Sequence, residues 1–391
     1  MSVRSKLLHY LVLAGLCGLV AGCASGPRHV IGFGENVLPF AEESGATRHS
    51  LYFATTRTRA DDPAEFFSGE RADGLSMGRI DVAIPRDHQV GEIERPPSAK
   101  ADPRKHFVIG LPDLAEGGGD FRAMINQALA EKPRGSRSVM VFVHGYNTNF
   151  SSAVLRMSQF VHDTGFDGVA VLFSWASRAK TIDYVYDLNS ALQARFYLYE
   201  LSLILSQTNA EEFGIVAHSM GNLVTLEAMT ALERSPEFKP KGRLAGVILA
   251  SPDVDFDLFV EHMKELRQTK HLFHVLVSDD DRALTLSRRI AGGVSRVGAA
   301  DPERLASLGL KVVDLSLIDD KSSANHSKFA DSPEIVQLIG RGIREGNTLQ
   351  ASTTTDTPTR AFVGDVFKSF TAIPAAVAGG AAGGGVLRVE N

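Results

Sequence analysis

The sequence predicts an α/β fold: a mostly parallel sheet with helices on both faces, and early strands added antiparallel at one edge. Three observations predict it. From Ser138 onward, short apolar runs alternate with amphipathic stretches of helical length. The apolar runs are continuous, as expected of strands buried on both faces. One of them, Phe213–Ala217, passes directly into a helical stretch through His218-Ser219-Met220-Gly221, a turn with small residues on either side of a serine.

Residues 1–22 read as an export signal. Arg4 and Lys6 make a short positive start, Leu7 to Val20 is almost wholly apolar, and small residues precede Cys23. An apolar run this short suits a cleaved signal better than a spanning helix. Val20-Ala21-Gly22-Cys23 resembles the bacterial lipobox, in which the cysteine thiol is acylated before cleavage. The resemblance implies a chain anchored through lipidated Cys23, and Ala24 after it implies the outer membrane, facing the periplasm. Buried acyl methylenes contribute about 0.8 kcal/mol each, so several chains make a stable anchor. With Cys17 and Cys23 the only cysteines, the processed chain is expected to hold no disulfide and no thiol nucleophile.

The formal net charge of the 391 residues is −5, and loss of Arg4 and Lys6 leaves 39 basic against 46 acidic side chains, a net charge of −7. No block of lysine and arginine stands out, so nucleic acid is not an expected partner. That acidity gives no help toward anionic lipid either, so attachment is left to the acyl chains.

Residues 23–48 read as lipidated N-terminus and tether, and 49–345 as the folded domain. Leu51–Thr55, Gly78–Ile84 and His106–Leu111 read as early strands separated by polar loops rich in Pro, Asp and Gly. The alternation then runs strand Val139–Val143, helix Ser151–Thr164, strand Gly168–Trp175, helix Asp187–Gln207, strand Phe213–Ala217 and helix Met220–Arg234. Strands Leu244–Ala250 and Leu272–Ser278 bracket a helix at Asp257–Gln268. Leu310–Leu317 is the last expected strand, and Ser332–Glu345 a closing helix with Pro333 at its start. Residues 346–391, Thr-rich and then Ala/Gly-rich, are expected to be a disordered tail. A rival reading gives Val363–Ala378 a short amphipathic element that touches membrane or protein.

Ala217-His218-Ser219-Met220-Gly221 carries the strongest chemical signal. A tight strand-to-helix turn lifts a serine hydroxyl above the sheet, and crowding there demands small residues two before and two after it. Ala217 departs from the usual glycine by one methyl group. A serine hydroxyl barely ionises at neutral pH, so it needs a histidine, itself oriented by a carboxylate. The order Ser, acid, His is met by Ser219, an acid, and His326 in the loop Asn325-His326-Ser327. Two strand ends offer the acid: Asp281 after Leu272–Ser278, favoured, and Asp253 after Leu244–Ala250 as the alternative. The acid not used would cap a helix. Oxyanion donors are expected from the backbone N–H of Met220 and, in His144-Gly145-Tyr146-Asn147, that of Tyr146. No H-E-x-x-H, clustered Cys/His set or phosphate-loop motif occurs, so neither a catalytic metal nor a cofactor is expected.

These stretches together resemble the bacterial esterase/lipase-superfamily α/β-hydrolases catalogued as a domain of unknown function. The matching segments are Tyr52 through Arg57, Phe142 through Asn147, Phe173 through Ser177, Ala217 through Asn222, Ser278 through Leu284, and Asn325-His326-Ser327. The resemblance spans roughly residues 50–345. It implies an α/β-hydrolase fold with Ser219 as nucleophile, His326 as base and Asp281, rather than Asp253, as the acid. It also implies that Phe173-Ser174-Trp175 and the Tyr184/Asp187 region line or support a pocket, with a core role for Trp175 as the alternative. The expected function is an envelope-anchored serine ester hydrolase working through an acyl-enzyme on a small-molecule or lipid ester. The alternatives are acyl transfer with the same triad and a non-catalytic scaffold on the same fold.

Overall fold

The computed structural model describes residues 44–62, 65–96, 101–318, 324–346 and 384–389. The expected signal, Cys23 and the segment Val363–Ala378 lie outside them.

Two long strands, β1 (Thr47–Arg59) and β2 (Phe67–Ile84), pair antiparallel, and β2 carries two short strands, β3 (Val108–Ile109) and β4 (Asp113–Leu114). Helix α1 (Gly118–Ala130) follows. The alternating core is then β5 (Ser138–Val143), α2 (Phe150–Thr164), β6 (Val169–Ser174), α3 (Tyr184–Ser206), β7 (Glu212–His218), α4 (Gly221–Glu233), β8 (Arg243–Ala250), α5 (Phe256–Glu265) and β9 (Phe273–Val277). Short helices α6 (Arg282–Ile290) and α7 (Pro302–Ala306) precede β10 (Lys311–Asp314). Helices α8 (Lys328–Asp331) and α9 (Pro333–Gly346), then strand β11 (Gly385–Arg388), complete the order.

All eleven described strands form one sheet in the order β11-β10-β9-β8-β7-β5-β6-β1-β2-β3, with β4 beside β2. Every pairing from β1–β6 to β10–β11 is parallel, and only the pairings made by β2 are antiparallel. Side chains alternate between the faces. Val139, Val141 and Val143 of β5 join a core built with α1, α3, α4 and α5, while Met140 and Phe142 join one built with α2, α8 and α9. The expected layered α/β architecture is therefore the observed one.

Three differences have physical reasons. The first two early strands are longer than their apolar stretches, because β1 and β2 extend past them by mutual pairing down to Arg59 and Phe67, while the third, expected over His106–Leu111, pairs only at Val108–Ile109. Helix α1 lies between the last early strand and Ser138, a stretch given no element from the sequence: it buries only Phe121, Ile125 and Leu129, one side chain per turn, behind a Gly-rich start. The expectation of an unstructured tail is corrected for Gly385–Arg388, which pairs parallel with β10. Leu387 and Val389 pack on one core and Val386 on the other, so the two faces of this edge strand are both used. No helix among the described residues is long and apolar enough to cross a membrane.

Candidate active site

Ser219 sits between the end of β7 and the start of α4 with φ +54°, a left-handed conformation that costs free energy for a residue with a Cβ. The surroundings over-determine it. Its N–H donates to Ala250 O at 3.0 Å, and its carbonyl accepts from Asn222 Nδ2 at 2.8 Å and from Asp253 N at 3.2 Å. Gly221 is obligatory, because a Cβ there would lie 2.4 Å from His144 O and 2.6 Å from Val143 O. Gly145 is equally constrained: its Cβ would lie 2.7 Å from Ser219 Cβ. The close approach of the serine turn thus sets the need for glycine at position 145.

His326 and Asp281 meet. His326 Nδ1 lies 2.7 Å from Asp281 Oδ2, and since a carboxylate only accepts, Nδ1 carries the hydrogen. Asp281 is fully buried, and its other oxygen, Oδ1, accepts from Leu284 N at 2.9 Å, capping α6. The Asp281 carboxylate thus fixes a helix start and an imidazole at once. The His326 ring lies 4.8 Å from that of His218, the residue before Ser219, and His218 Nε2 donates to the His326 carbonyl at 3.1 Å. Burial, then the neighbouring His326, holds His218 well below the usual histidine range, so it is a neutral donor.

The loop that presents His326 is strapped to the β9–α6 loop. Arg282 N donates to Ala324 O at 3.0 Å, and Asn325 Nδ2 to Asp280 Oδ2 at 2.7 Å. Lys328, its ammonium buried, reaches Asp280 Oδ1 at 2.7 Å, Ser278 Oγ at 3.0 Å and Leu315 O at 3.0 Å. Asn325, like Ser219, Asn147 and Ser251, has a positive φ. With Ala179, five non-glycine residues in that conformation lie in the loops after β5, β6, β7, β8 and β10, at the carboxyl ends of the strands, where strain concentrates at working sites.

Asp253, the alternative acid, is committed elsewhere. Its Oδ1 accepts from Ser287 Oγ at 2.5 Å and faces Arg296 Nε at 3.3 Å, and Oδ2 accepts from Tyr184 OH at 3.2 Å. Burial raises its pKa. Tyr184, buried beside that carboxylate, is pushed up to about 12.

Sequence reasoning missed the residue that assembles the opposite wall. Arg57, at the end of β1, is buried and donates to Ser174 Oγ at 2.9 Å, Ser177 O at 2.8 Å, Ser68 O at 3.1 Å and Thr148 O at 2.7 Å. Its Nη2 also lies 3.3 Å from His144 Nε2. One guanidinium therefore joins the ends of β1 and β6 to the loop after β5. Burial lowers its pKa to about 10, still charged at neutrality. His144 gives its Nδ1–H to Gly145 O at 2.8 Å and stacks on Trp175, whose Nε1 donates to His144 O at 2.7 Å. Burial, then Arg57, lowers His144 to about 3, so it stays neutral and accepts from the guanidinium. Trp175 is fully buried and supports the site from below. Asp187 accepts from Ser177 Oγ at 2.5 Å, Arg178 N at 2.9 Å and Asn147 N at 3.3 Å, so it holds the same loop as Tyr146. The signal for Arg57 was its place in Thr55-Thr56-Arg57, at the expected carboxyl end of an early strand.

A mostly parallel sheet with a strained serine at the β7–α4 turn defines an α/β hydrolase. The chain belongs to the family described as alpha/beta hydrolase of unknown function (DUF900), whose model matches residues 119–342. Among solved structures, the chain is similar to a hydrolase from Oleispira antarctica at 12% identity, over 51% of this chain and 79% of that one, with a TM-score of 0.23. It is also similar to the peroxisomal alpha-beta-hydrolase Lpx1 of Saccharomyces cerevisiae at 9% identity, over 85% and 98%, with a TM-score of 0.28. These likenesses are too distant to carry an argument. Comparison with curated proteins gives no match.

Proposed function

We propose that this hydrolase is a serine esterase whose nucleophile, base and acid are Ser219, His326 and Asp281. The observation that carries the reading is the Asp281–His326 hydrogen bond, with the His326 ring 4.8 Å from that of His218, the residue before a serine held at positive φ. Ser219 Oγ attacks the ester carbonyl and its proton passes to His326 Nε2, while Asp281 holds Nδ1 and stabilises the imidazolium. The N–H groups of Met220 and Tyr146 receive the oxyanion. The alcohol leaves with the proton from His326. Water then attacks the acyl-enzyme, gives a proton to His326, and releases the acid as Ser219 recovers its hydrogen.

Hydrolysis of p-nitrophenyl esters from acetate to palmitate tests this and sorts acyl length. Turnover that disappears in Ser219→Ala is the expected result. A folded wild type that hydrolyses none of them supports a non-catalytic scaffold, and ester products formed with an added alcohol support transfer. We further propose that Cys23 carries the lipid anchor at a bacterial outer membrane, on the lipobox-like Val20-Ala21-Gly22-Cys23. Metabolic labelling with a fatty-acid analogue should mark the chain and not Cys23→Ser.

A further inference from the structure

At the opposite edge of the sheet a second set of histidines and carboxylates converges. Helix α2 leads from the carboxyl end of β5 back to the amino end of β6, and its last turn carries His162 and Asp163. His88 reaches them from the loop after β2, and His49 from β1. The ligating atoms of His88, His162 and Asp163 all lie within 4.8 Å of one another. The side chain of Asp163 is fully buried and that of His88 nearly so, with 3% exposure.

What distinguishes this set from an ordinary ion pair is the support behind each group. His88 Nε2 faces Asp163 Oδ1 at 2.8 Å, and its Nδ1 faces Glu94 Oε2 at 2.8 Å. His162 Nδ1 lies 3.0 Å from His49 Nε2. Asp163 Oδ2 accepts from Gly91 N at 2.8 Å and Gln159 Nε2 at 2.5 Å. With Nε2 of both His88 and His162 and Oδ1 of Asp163 turned to an ion, every remaining atom already has its outer partner. His88 Nδ1–H donates to Glu94, His162 Nδ1–H donates to His49, and Asp163 Oδ2 keeps its two donors. Metal sites are built this way, with each ligating imidazole giving its other N–H to a carboxylate or similar acceptor.

We propose that His88, His162 and Asp163 bind a divalent transition-metal ion, zinc being the probe of choice for two imidazoles and a carboxylate. Donors at about 2.0–2.1 Å from zinc in a tetrahedron lie roughly 3.3 Å apart, so small side-chain rotations close the present arrangement. Binding forms a bond to His88 Nε2 and releases its proton to solvent. Water completes the fourth position. The ion ties the loop 85–96 to the end of α2, remote from Ser219, and has a structural role. Its ligands are spread from His88 to Asp163, which is why no metal motif is visible in the sequence.

The test uses the whole chain, stripped with a chelator and titrated with zinc chloride against a chromophoric competitor, with melting followed in parallel. The expected result is about one zinc per chain and a melting temperature raised by about 3 °C or more. His162→Gln should abolish both effects, and Glu94→Gln, which leaves all three ligands in place, should weaken binding about 10–100-fold. Ser219→Ala should bind zinc like the wild type. Substoichiometric zinc with unchanged melting of a folded wild type, or equal binding by His162→Gln, overturns the proposal and leaves a hydrogen-bonded ion-pair cluster.

Discussion

Two histidines face carboxylates at opposite edges of one sheet, and they are held differently. His326 gives a single nitrogen, Nδ1, to Asp281. His88 has acceptors on both nitrogens, Glu94 and Asp163. A carboxylate at Nδ1 orients the imidazole and fixes its tautomer, with the hydrogen on Nδ1. One gripped on both sides by carboxylates must donate from both, or hold an ion in place of one proton. The frameworks differ as well. His326 rides on a loop strapped through Asn325 and Lys328 next to a strained serine, whereas the His88 cluster lies against the last, Gly165-capped turn of a regular helix. On the proposed readings, the same residue types serve as a base in one place and as a fastening in the other.

The largest effect that could break this contrast is on turnover. His326→Gln should lower kcat by roughly 10^3–10^6, while His88→Gln leaves kcat/KM unchanged and alters melting and metal content. Equal losses of turnover in both would dissolve the distinction. The acid gives the next effect. Asp281→Asn should cost on the order of 10^3–10^4 in kcat, because its two oxygens orient the imidazole and cap α6. Asp253→Asn should instead cost about 1–3 kcal/mol of stability through the buried Ser287–Tyr184 contacts, with turnover largely kept. A reversal of those two phenotypes, read by kinetics beside denaturant melts, would make Asp253 the acid.

Arg57→Met should destabilise by about 3 kcal/mol, since it leaves three carbonyls without their donor where the β1, β5 and β6 loops meet. Activity should fall with it even at temperatures where the variant is folded. The last effect is on acid stability. His144, held at about 3, His218, held well below normal, and His274, lowered to about 4 by burial and Lys311, are neutral in the fold. The unfolded chain protonates each near pH 6.5, so below that value the unfolded state binds more protons and stability falls. Melting temperatures should decline steadily from about pH 6 to about pH 4.5, and a flat or rising profile would contradict the assignment of neutral imidazoles.

How much of this was legible depended on how much of each signal is local. The central strands β5 to β9 were legible because burial on both faces writes a continuous apolar run. Ser219 was legible because steric crowding at the turn demands Gly221. The acid was legible as a preference, since Asp253 and Asp281 both follow strands and the resemblance favoured Asp281, whereas the contact that puts Asp281 against His326, 45 residues apart in sequence, was not. Arg57 escaped because its partners come from three separate loops. Helix α1 and strand β11 escaped because each buries few side chains, and β11 exists through pairing with an edge that the sequence does not mark.

Reaction of the folded protein with a serine-directed fluorophosphonate, followed by intact mass and peptide mapping, addresses the esterase reading most directly. The account predicts one adduct, on the peptide bearing Ser219, absent from Ser219→Ala and slowed severely in His326→Gln. A cooperatively folded wild type that takes up no probe, or that is labelled equally well without Ser219, contradicts it.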